Sequence, residues 1–248
     1  MTVLITGGTK GIGLAIARRL APVHGRVVLA YHSDEAAAQA ARAEIAALGA
    51  AVEVVRSEVG SPEGAAALMA QIERQGHGLS HIVHSAAMIY PTTLLGADLA
   101  KFRQAVETNG LSLLYLVHAA QALLGRGSSV VFITSMGSRI PSPNYGALGV
   151  GKALAEAIVR YLVAELAPRG VRINGVAPGL VHTTSVAAML GSEDAAQAAV
   201  DRAARSNPSG RESRDSDYAA LVEFLLSPEA EFIQGQVIAA TGGTGVIG

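Results

Sequence analysis

At 248 residues, half of them apolar, 16% charged and only 9 prolines, the chain can bury a large core, which excludes a disordered scaffold. Its 19 Lys and Arg against 20 Asp and Glu give a net charge of −1 with no basic run, so the electrostatic footprint of a nucleic-acid binder is missing. Cysteine is absent, which removes disulfides, thiolate nucleophiles and Cys-based metal sites and suits a reducing, cytoplasmic location.

The sequence opens on an apolar strand at residues 3–6, with no charged region or small-residue cleavage site, so no targeting signal is expected. A helix is predicted at 11–20, then a strand at 26–31, a helix at 35–48, a strand at 52–57 and a helix at 62–75. The pattern continues with a strand at 81–84, a helix at 99–124, a strand at 129–134, a helix at 145–166, a strand at 171–176, a helix at 217–226 and a strand at 236–239. Residues 79–97 and 108–125 lack Asp, Glu, Lys and Arg, but polar residues, Pro or Gly break them; they read as core and interface, with no membrane partner.

Strands alternating with helices of this length predict right-handed βαβ units, an α/β domain with helices on both faces of a parallel sheet. The unbroken apolar runs Val27-Val28-Leu29-Ala30 and Val130-Val131-Phe132-Ile133 suit strands buried on both faces. No linker or repeat divides the chain, so one doubly wound domain is expected over residues 1–248. Residues 182–214 are long, polar and Ala-rich, and are expected to form a lid with an apolar strip at Val186, Ala187, Met189 and Leu190.

Directly after the first strand stands Thr6-Gly7-Gly8-Thr9-Lys10-Gly11-Ile12-Gly13, opening a helix. Gly7 permits the sharp turn, Gly11 lets backbone approach a pyrophosphate, and Gly13 lets helix and strand pack closely, while the helix N-terminus offers N–H groups to the anion. The spacing T-G-x3-G-x-G resembles the short-chain dehydrogenase/reductase superfamily, and the resemblance runs over essentially the whole chain. It implies a Rossmann domain with a seven-stranded parallel sheet. It also implies a structural Asn109 in Glu107-Thr108-Asn109-Gly110, a catalytic Ser135 ending the fifth strand, and a catalytic Lys152 seventeen residues later. The implied cofactor-binding set is Gly7, Thr9, Lys10, Gly11, Ile12, Gly13, His32, Ser33, Glu58, Val59, Ser85, Ala86, Lys152, Pro178, Gly179, Val181 and Thr183. Thr183 and Ala177-Pro178-Gly179 resemble the loop on the nicotinamide side.

Charge argues the cofactor choice. A site preferring NADH places an acid at the end of the second strand, where this chain has Ala30-Tyr31-His32-Ser33. Lys10 is placed to attract a 2′-phosphate that His32 and Ser33 can donate to, so NADPH is expected, although a solvated Lys10 is the alternative. Glu58-Val59 resembles the family's Asp-Val pair near adenine, with Glu in place of Asp.

The ordinary family pattern is Tyr-x3-Lys, and here its Tyr position is Leu148, which has no proton to donate. The available tyrosine is Tyr145, giving Tyr145-x6-Lys152, about two helical turns that bring both side chains to nearly one face. This pattern resembles the enoyl-acyl-carrier-protein reductases, and Ser135, ten residues before Tyr145, resembles their NADPH-dependent branch. Asn207-Pro208-Ser209-Gly210-Arg211 and Phe224-Leu225-Leu226-Ser227 are similar to that branch as well. The catalytic set implied is Tyr145, Lys152, Ser135 and Asn109.

Other positions depart from the family. His84-Ser85-Ala86-Ala87 stands where it has Asn-Asn-Ala-Gly, and Thr241 where Asp often precedes Gly242-Gly243. With no acid adjacent to orient it, His84 reads as a core residue. Met88 and Tyr90 line an acyl pocket or pack as core and rim, and both readings stay open. No His and carboxylate cluster has metal-ligand spacing, so no metal is expected.

The expected function is NADPH-dependent reduction of an α,β-unsaturated acyl thioester, of fatty acid or polyketide type. The alternatives are a 3-oxoacyl or other ketone reductase using Tyr145 in a different pose, and a silent nucleotide-binding subunit. The apolar load of residues 99–124 and 145–166, two helices that the superfamily pairs across a dyad, predicts a homotetramer. Arg126 and Arg169 stand where the resemblance places docking of an acyl carrier protein.

Overall fold

Successive side chains of a strand face opposite ways, so a strand covered on both faces sends alternate residues into two different cores. In β1 (Thr2–Thr6), Leu4 joins one buried cluster while Val3 and Ile5 join the other. The structure, a computed structural model, describes residues 1–245; residues 246–248, the last of the expected domain, lie outside the described residues.

Seven parallel strands form one sheet in the order β3 (Ala51–Arg56), β2 (Arg26–Tyr31), β1, β4 (His81–His84), β5 (Ser129–Ile133), β6 (Arg172–Pro178) and β7 (Val237–Ala240). β5 and β6 are buried throughout, whereas β3 and β7, with a neighbour on one side only, are partly exposed. One cluster packs strand residues such as Leu4, Ile82, Phe132 and Ile173 against α3 (Pro62–Arg74), α5 (Ser112–Ala119) and α6 (Gly146–Leu166). The other packs Ile5, Leu29, Val83, Val131 and Val176 against α1 (Gly11–Leu20), α2 (Glu35–Ala46) and α9 (Asp215–Leu226). Arg172, buried at the start of β6, donates to the carbonyls of Leu225, Ser227 and Ala230 and so closes the C-terminal end of α9. Strand order reverses between β1 and β4, and the crevice beyond their C-terminal ends is where ligands bind in such sheets. Among the described residues no helix is long and apolar enough to cross a membrane.

The structure corrects three predicted elements. The helix expected over 99–124 is α4 (Leu99–Val106), a π-helical turn at Glu107–Leu111, and α5, which stops at Ala119. The wider turn accommodates one more residue per hydrogen bond and rotates Asn109 out of the helical register, toward Met88. The helix expected from 145 begins at Gly146, because Asn144 has a left-handed φ of 58° and Tyr145 is the N-cap. The helix expected from 217 begins at Asp215, where Asp217 accepts from the Arg214 N–H. Within 182–214 lie α7 (Thr184–Leu190) and α8 (Glu193–Ser206), capped by Thr183 and Ser192.

Candidate active site

The loop after β1 is shaped by positions where a side chain does not fit. Gly7 and Gly11 have left-handed φ values of 64° and 49°, and a Cβ on Gly13 would lie 2.2 Å from the carbonyl oxygen of Gly7. Buried Thr9 and half-buried Ile12 anchor the loop. Lys10 N-caps α1 without a side-chain hydrogen bond to it, so the first-turn N–H groups remain open to an anion. Across the crevice, Ser85 N–H donates to Thr6 O, and a Cβ on Gly7 would meet Ala86 at 2.9 Å. The cradle therefore fits a dinucleotide pyrophosphate. Thr183 packs over its far side, with its methyl 3.4 Å from the position a Gly11 Cβ would take.

A recess continues along Ala30, Tyr31, His32, Glu58, Val59 and Met88. An ion pair and a close His–carboxylate contact stand at this end. Lys10 binds Asp34, and His32 Nε2 lies 2.7 Å from Glu58 Oε2. β2 ends at Tyr31 with no acid at the strand end, and the first acid after it is Asp34. Its carboxylate lies one residue beyond Ser33, but it also accepts from Ala37 N–H as the cap of α2. Lys10 holds the Asp34 carboxyl below its ordinary pKa, so the cation is paired rather than freely solvated.

At the far end of the crevice, Pro178 ends β6 and Gly179 N–H donates to Ala240 O. Val181 is buried in the core shared with α1 and α9, and Thr183 caps α7 by accepting from Val186 N–H at 3.2 Å. The Asn207–Arg211 segment closes on the end of β7, where Asn207 donates to Thr241 O and Ser209 to Gly242 O.

At the centre, Tyr145 OH donates to Ser135 Oγ at 3.1 Å. Burial raises the Tyr145 pKa and the Ser135 contact only partly opposes it, so the phenol stays protonated and acts as a donor. Ser135 Oγ also accepts from Gly137 N–H, which leaves its own proton free for another acceptor. Lys152 Nζ is buried, donates to Ile133 O at 2.7 Å and sits 4.4 Å from the Phe132 ring centroid. Burial lowers its pKa to about 7, with Glu156 pulling the other way. Asn109 exchanges two hydrogen bonds of 2.9 Å with the backbone of Met88, locking the strand-to-helix connection beside the crevice. Leu148, at the ordinary tyrosine position, is buried.

His84 is a core residue. Ser112 Oγ donates to Thr108 O, so it accepts from His84 Nε2, and His84 Nδ1 in turn accepts from Thr6 Oγ1 at 2.6 Å. Full burial lowers its pKa to about 3, which keeps the ring neutral as this arrangement requires. Met88 lies in the recess wall, and Tyr90 OH accepts from Asp98 N–H at the start of α4.

The sequence reading missed four small contacts and one acid. The ring of Tyr145 lies on Gly137, where a Cβ would come within 2.3 Å of its Cε1, while Gly149 faces Gly137 O, Gly151 faces Asn109 and Gly146 faces Leu94. The run Gly146-Ala147-Leu148-Gly149-Val150-Gly151 carries three glycines in a helix, an unfavourable choice that signals close packing. Gly137→Ala should therefore displace the ring: kcat is expected to fall about tenfold to a hundredfold with little change in Tm, measured by steady-state kinetics and thermal unfolding. The acid is Glu156, one turn beyond Lys152.

A parallel sheet with a glycine cradle at its switch point, a hydrogen-bonded Ser135 and Tyr145, and a buried Lys152 bonded to the end of β5 fit a nucleotide-dependent oxidoreductase of the short-chain dehydrogenase/reductase class. The chain belongs to that superfamily: the family model described as "Enoyl-(Acyl carrier protein) reductase" matches residues 7–245. An uncharacterised oxidoreductase of Methylorubrum extorquens is 33% identical over 97% of this chain and 96% of its own. The 1-cyclohexenylcarbonyl-CoA reductase of Streptomyces collinus is 30% identical over 98% of this chain and 86% of its own. A NADPH-dependent aldehyde reductase-like protein of Arabidopsis thaliana chloroplasts is also 30% identical, over 97% of this chain and 92% of its own. Among solved structures, a short-chain dehydrogenase of Burkholderia cenocepacia in complex with NADP superposes with a TM-score of 0.88 at 28% identity, covering 98% of this chain and 97% of its own.

Proposed function

We propose that this oxidoreductase uses NADPH to reduce an α,β-unsaturated acyl thioester. The observation that carries the reading is the position of its one phenol donor in the catalytic group, Tyr145, at the N-cap of α6 against Ser135, with a buried leucine at the ordinary tyrosine position. When bound, NADPH supplies the hydride. For ketone reduction the carbon that receives the hydride is the carbonyl carbon, so the proton donor must sit beside the oxygen bonded to it. For an enoyl thioester that carbon is two bonds from the carbonyl carbon, so the oxygen that gains charge is displaced from the hydride path. A protonated Tyr145 one turn from the ordinary position suits that oxygen, and the spare Ser135 proton can reach the same acceptor. Among the relatives, a cyclohexenylcarbonyl-CoA reductase supports an unsaturated acyl thioester as substrate, and NADPH-dependent and NADP-bound members support the cofactor.

Gly7, Thr9, Gly11, Ile12 and Gly13 would hold the pyrophosphate, Lys10, His32 and Ser33 the 2′-phosphate end, and Glu58, Val59, Ser85 and Ala86 the adenosine side. Pro178, Gly179, Val181, Thr183 and Lys152 would hold the nicotinamide side. The deciding assay follows NADPH oxidation with matched enoyl and 3-oxoacyl thioesters and an aldehyde. Turnover of the enoyl compound is expected; turnover confined to the carbonyl substrates, or none at all, would overturn the reading.

A cytoplasmic location and a homotetramer belong to the same proposal, and apolar surface left open at Leu99, Leu114, Val150 and Tyr161 on α4, α5 and α6 supports the association of subunits. If the acyl group arrives on a carrier protein, Arg126 is the better candidate contact. Arg169 already donates to the carbonyls of Gln121 and Leu124. The helices α7 and α8 act as the lid. Deleting residues 187–199 is expected to lower turnover at least about a hundredfold while NADPH affinity, read by fluorescence titration, stays within about threefold.

A further inference from the structure

Glu156 is a carboxylate with 4% exposure in the middle of α6. A charge so buried is costly unless it is paired and hydrogen-bonded, and its partners are all on one short stretch of chain. Thr134 Oγ1 donates to Glu156 Oε1 at 2.7 Å, Arg139 Nε donates to Oε2 at 3.2 Å, and Ser138 Oγ lies 2.6 Å from Oε1. The Ser138 proton is shared with Ser135 O, 2.7 Å away. Thr134 directly precedes Ser135 and Ser138 directly follows Gly137, so one carboxylate grips both ends of the turn that carries the serine and the ring's backing.

That turn matters more here than it would for a tyrosine inside a helix. Tyr145 lies outside the hydrogen-bonded body of α6, after a left-handed Asn144, and its ring is located by Gly137 beneath it and Ser135 at its hydroxyl. Whatever holds residues 134–139 against α6 also sets where the phenol points. We propose that Glu156 is a positioning residue for the Ser135 and Tyr145 pair, acting through the turn and touching neither substrate nor cofactor. The proposal rests on the reading of Ser135 and Tyr145 as the reacting pair.

The test compares Glu156→Ala with Glu156→Gln, which keeps an acceptor oxygen for Thr134 and Ser138. Each is assayed with whichever thioester or carbonyl substrate the parent turns over. The Ala variant is expected to lose about tenfold to a hundredfold in kcat while its NADPH dissociation constant stays within about threefold. Gln should restore kcat to within about threefold of the parent. Hydrogen exchange at the amides of Gly137, Ser138 and Arg139 should quicken in the Ala variant and return toward the parent rate with Gln. An unchanged kcat, equal losses in kcat and NADPH affinity, unchanged exchange, or a Gln variant no better than Ala would each overturn it. If the Ala variant does not fold, the double variant Thr134→Val, Ser138→Ala carries the same expectation and the same refutation. If the parent turns over none of the substrates, the thioester reading fails by itself, and the exchange rates with NADPH affinity still decide the role of Glu156.

Discussion

Tyr145→Phe is expected to lower kcat by about a hundredfold to ten-thousandfold and to leave NADPH affinity unchanged. The change removes one hydroxyl and keeps the ring on Gly137, so the geometry of the site survives and only the donor is lost. Ser135 Oγ keeps its bond from Gly137 N–H, which limits the stability cost to about 1 kcal/mol. Leu148 has no group that can take over. Stopped-flow measurement of the hydride step, beside a fluorescence titration of NADPH, separates the two quantities. A variant that retains more than a tenth of parental kcat would mean that Tyr145 is not the donor.

Lys152→Met should be nearly as severe, with about a hundredfold to thousandfold loss in kcat/KM. Unlike the tyrosine variant, it should also weaken NADPH binding. The substitution leaves the Ile133 carbonyl without its donor, but it also relieves a buried ammonium whose charge is disfavoured by its surroundings. These two effects oppose each other, and Tm is expected to move by only a few degrees, about 1 kcal/mol or less. Glu156 keeps its bonds from Thr134, Ser138 and Arg139. A collapse in Tm as large as the loss of activity would assign Lys152 a structural role instead.

Much of the frame was readable because the chemistry is local. The β-branched runs between Gly and Pro punctuation are the strands, and their unbroken apolar character follows from burial on both faces of the sheet. Departures came where one residue redirects the backbone. The apolar pattern of 99–124 continues across the π-helical turn, and only the helix-poor Thr108-Asn109-Gly110 within it hints at the break. Pro143 and Asn144 before Tyr145 carried a similar hint that the helix had not yet begun. Tyr145 and Ser135 are ten residues apart, and their pairing could be anticipated from the motif. The Lys10 and Asp34 pair joins two different loops, so neither loop alone reveals it. Glu156 was within reach, since an acid four residues after a lysine shares its helix face, but which turn it grips depends on how α6 crosses the end of β5.

The buried ammonium has a further consequence if Lys152 faces the cofactor as proposed. With its pKa near 7, the free protein at neutral pH is a mixture of charged and uncharged lysine. An anionic nucleotide favours the charged form, so binding draws a proton from the solvent. Below pH 7 the lysine is already protonated and nothing is taken up. Above it, affinity declines about tenfold for each unit of pH until the higher pKa of the complex is reached. Nucleotide loading and proton uptake are then a single equilibrium, and the acidity of the surroundings sets how readily the protein fills.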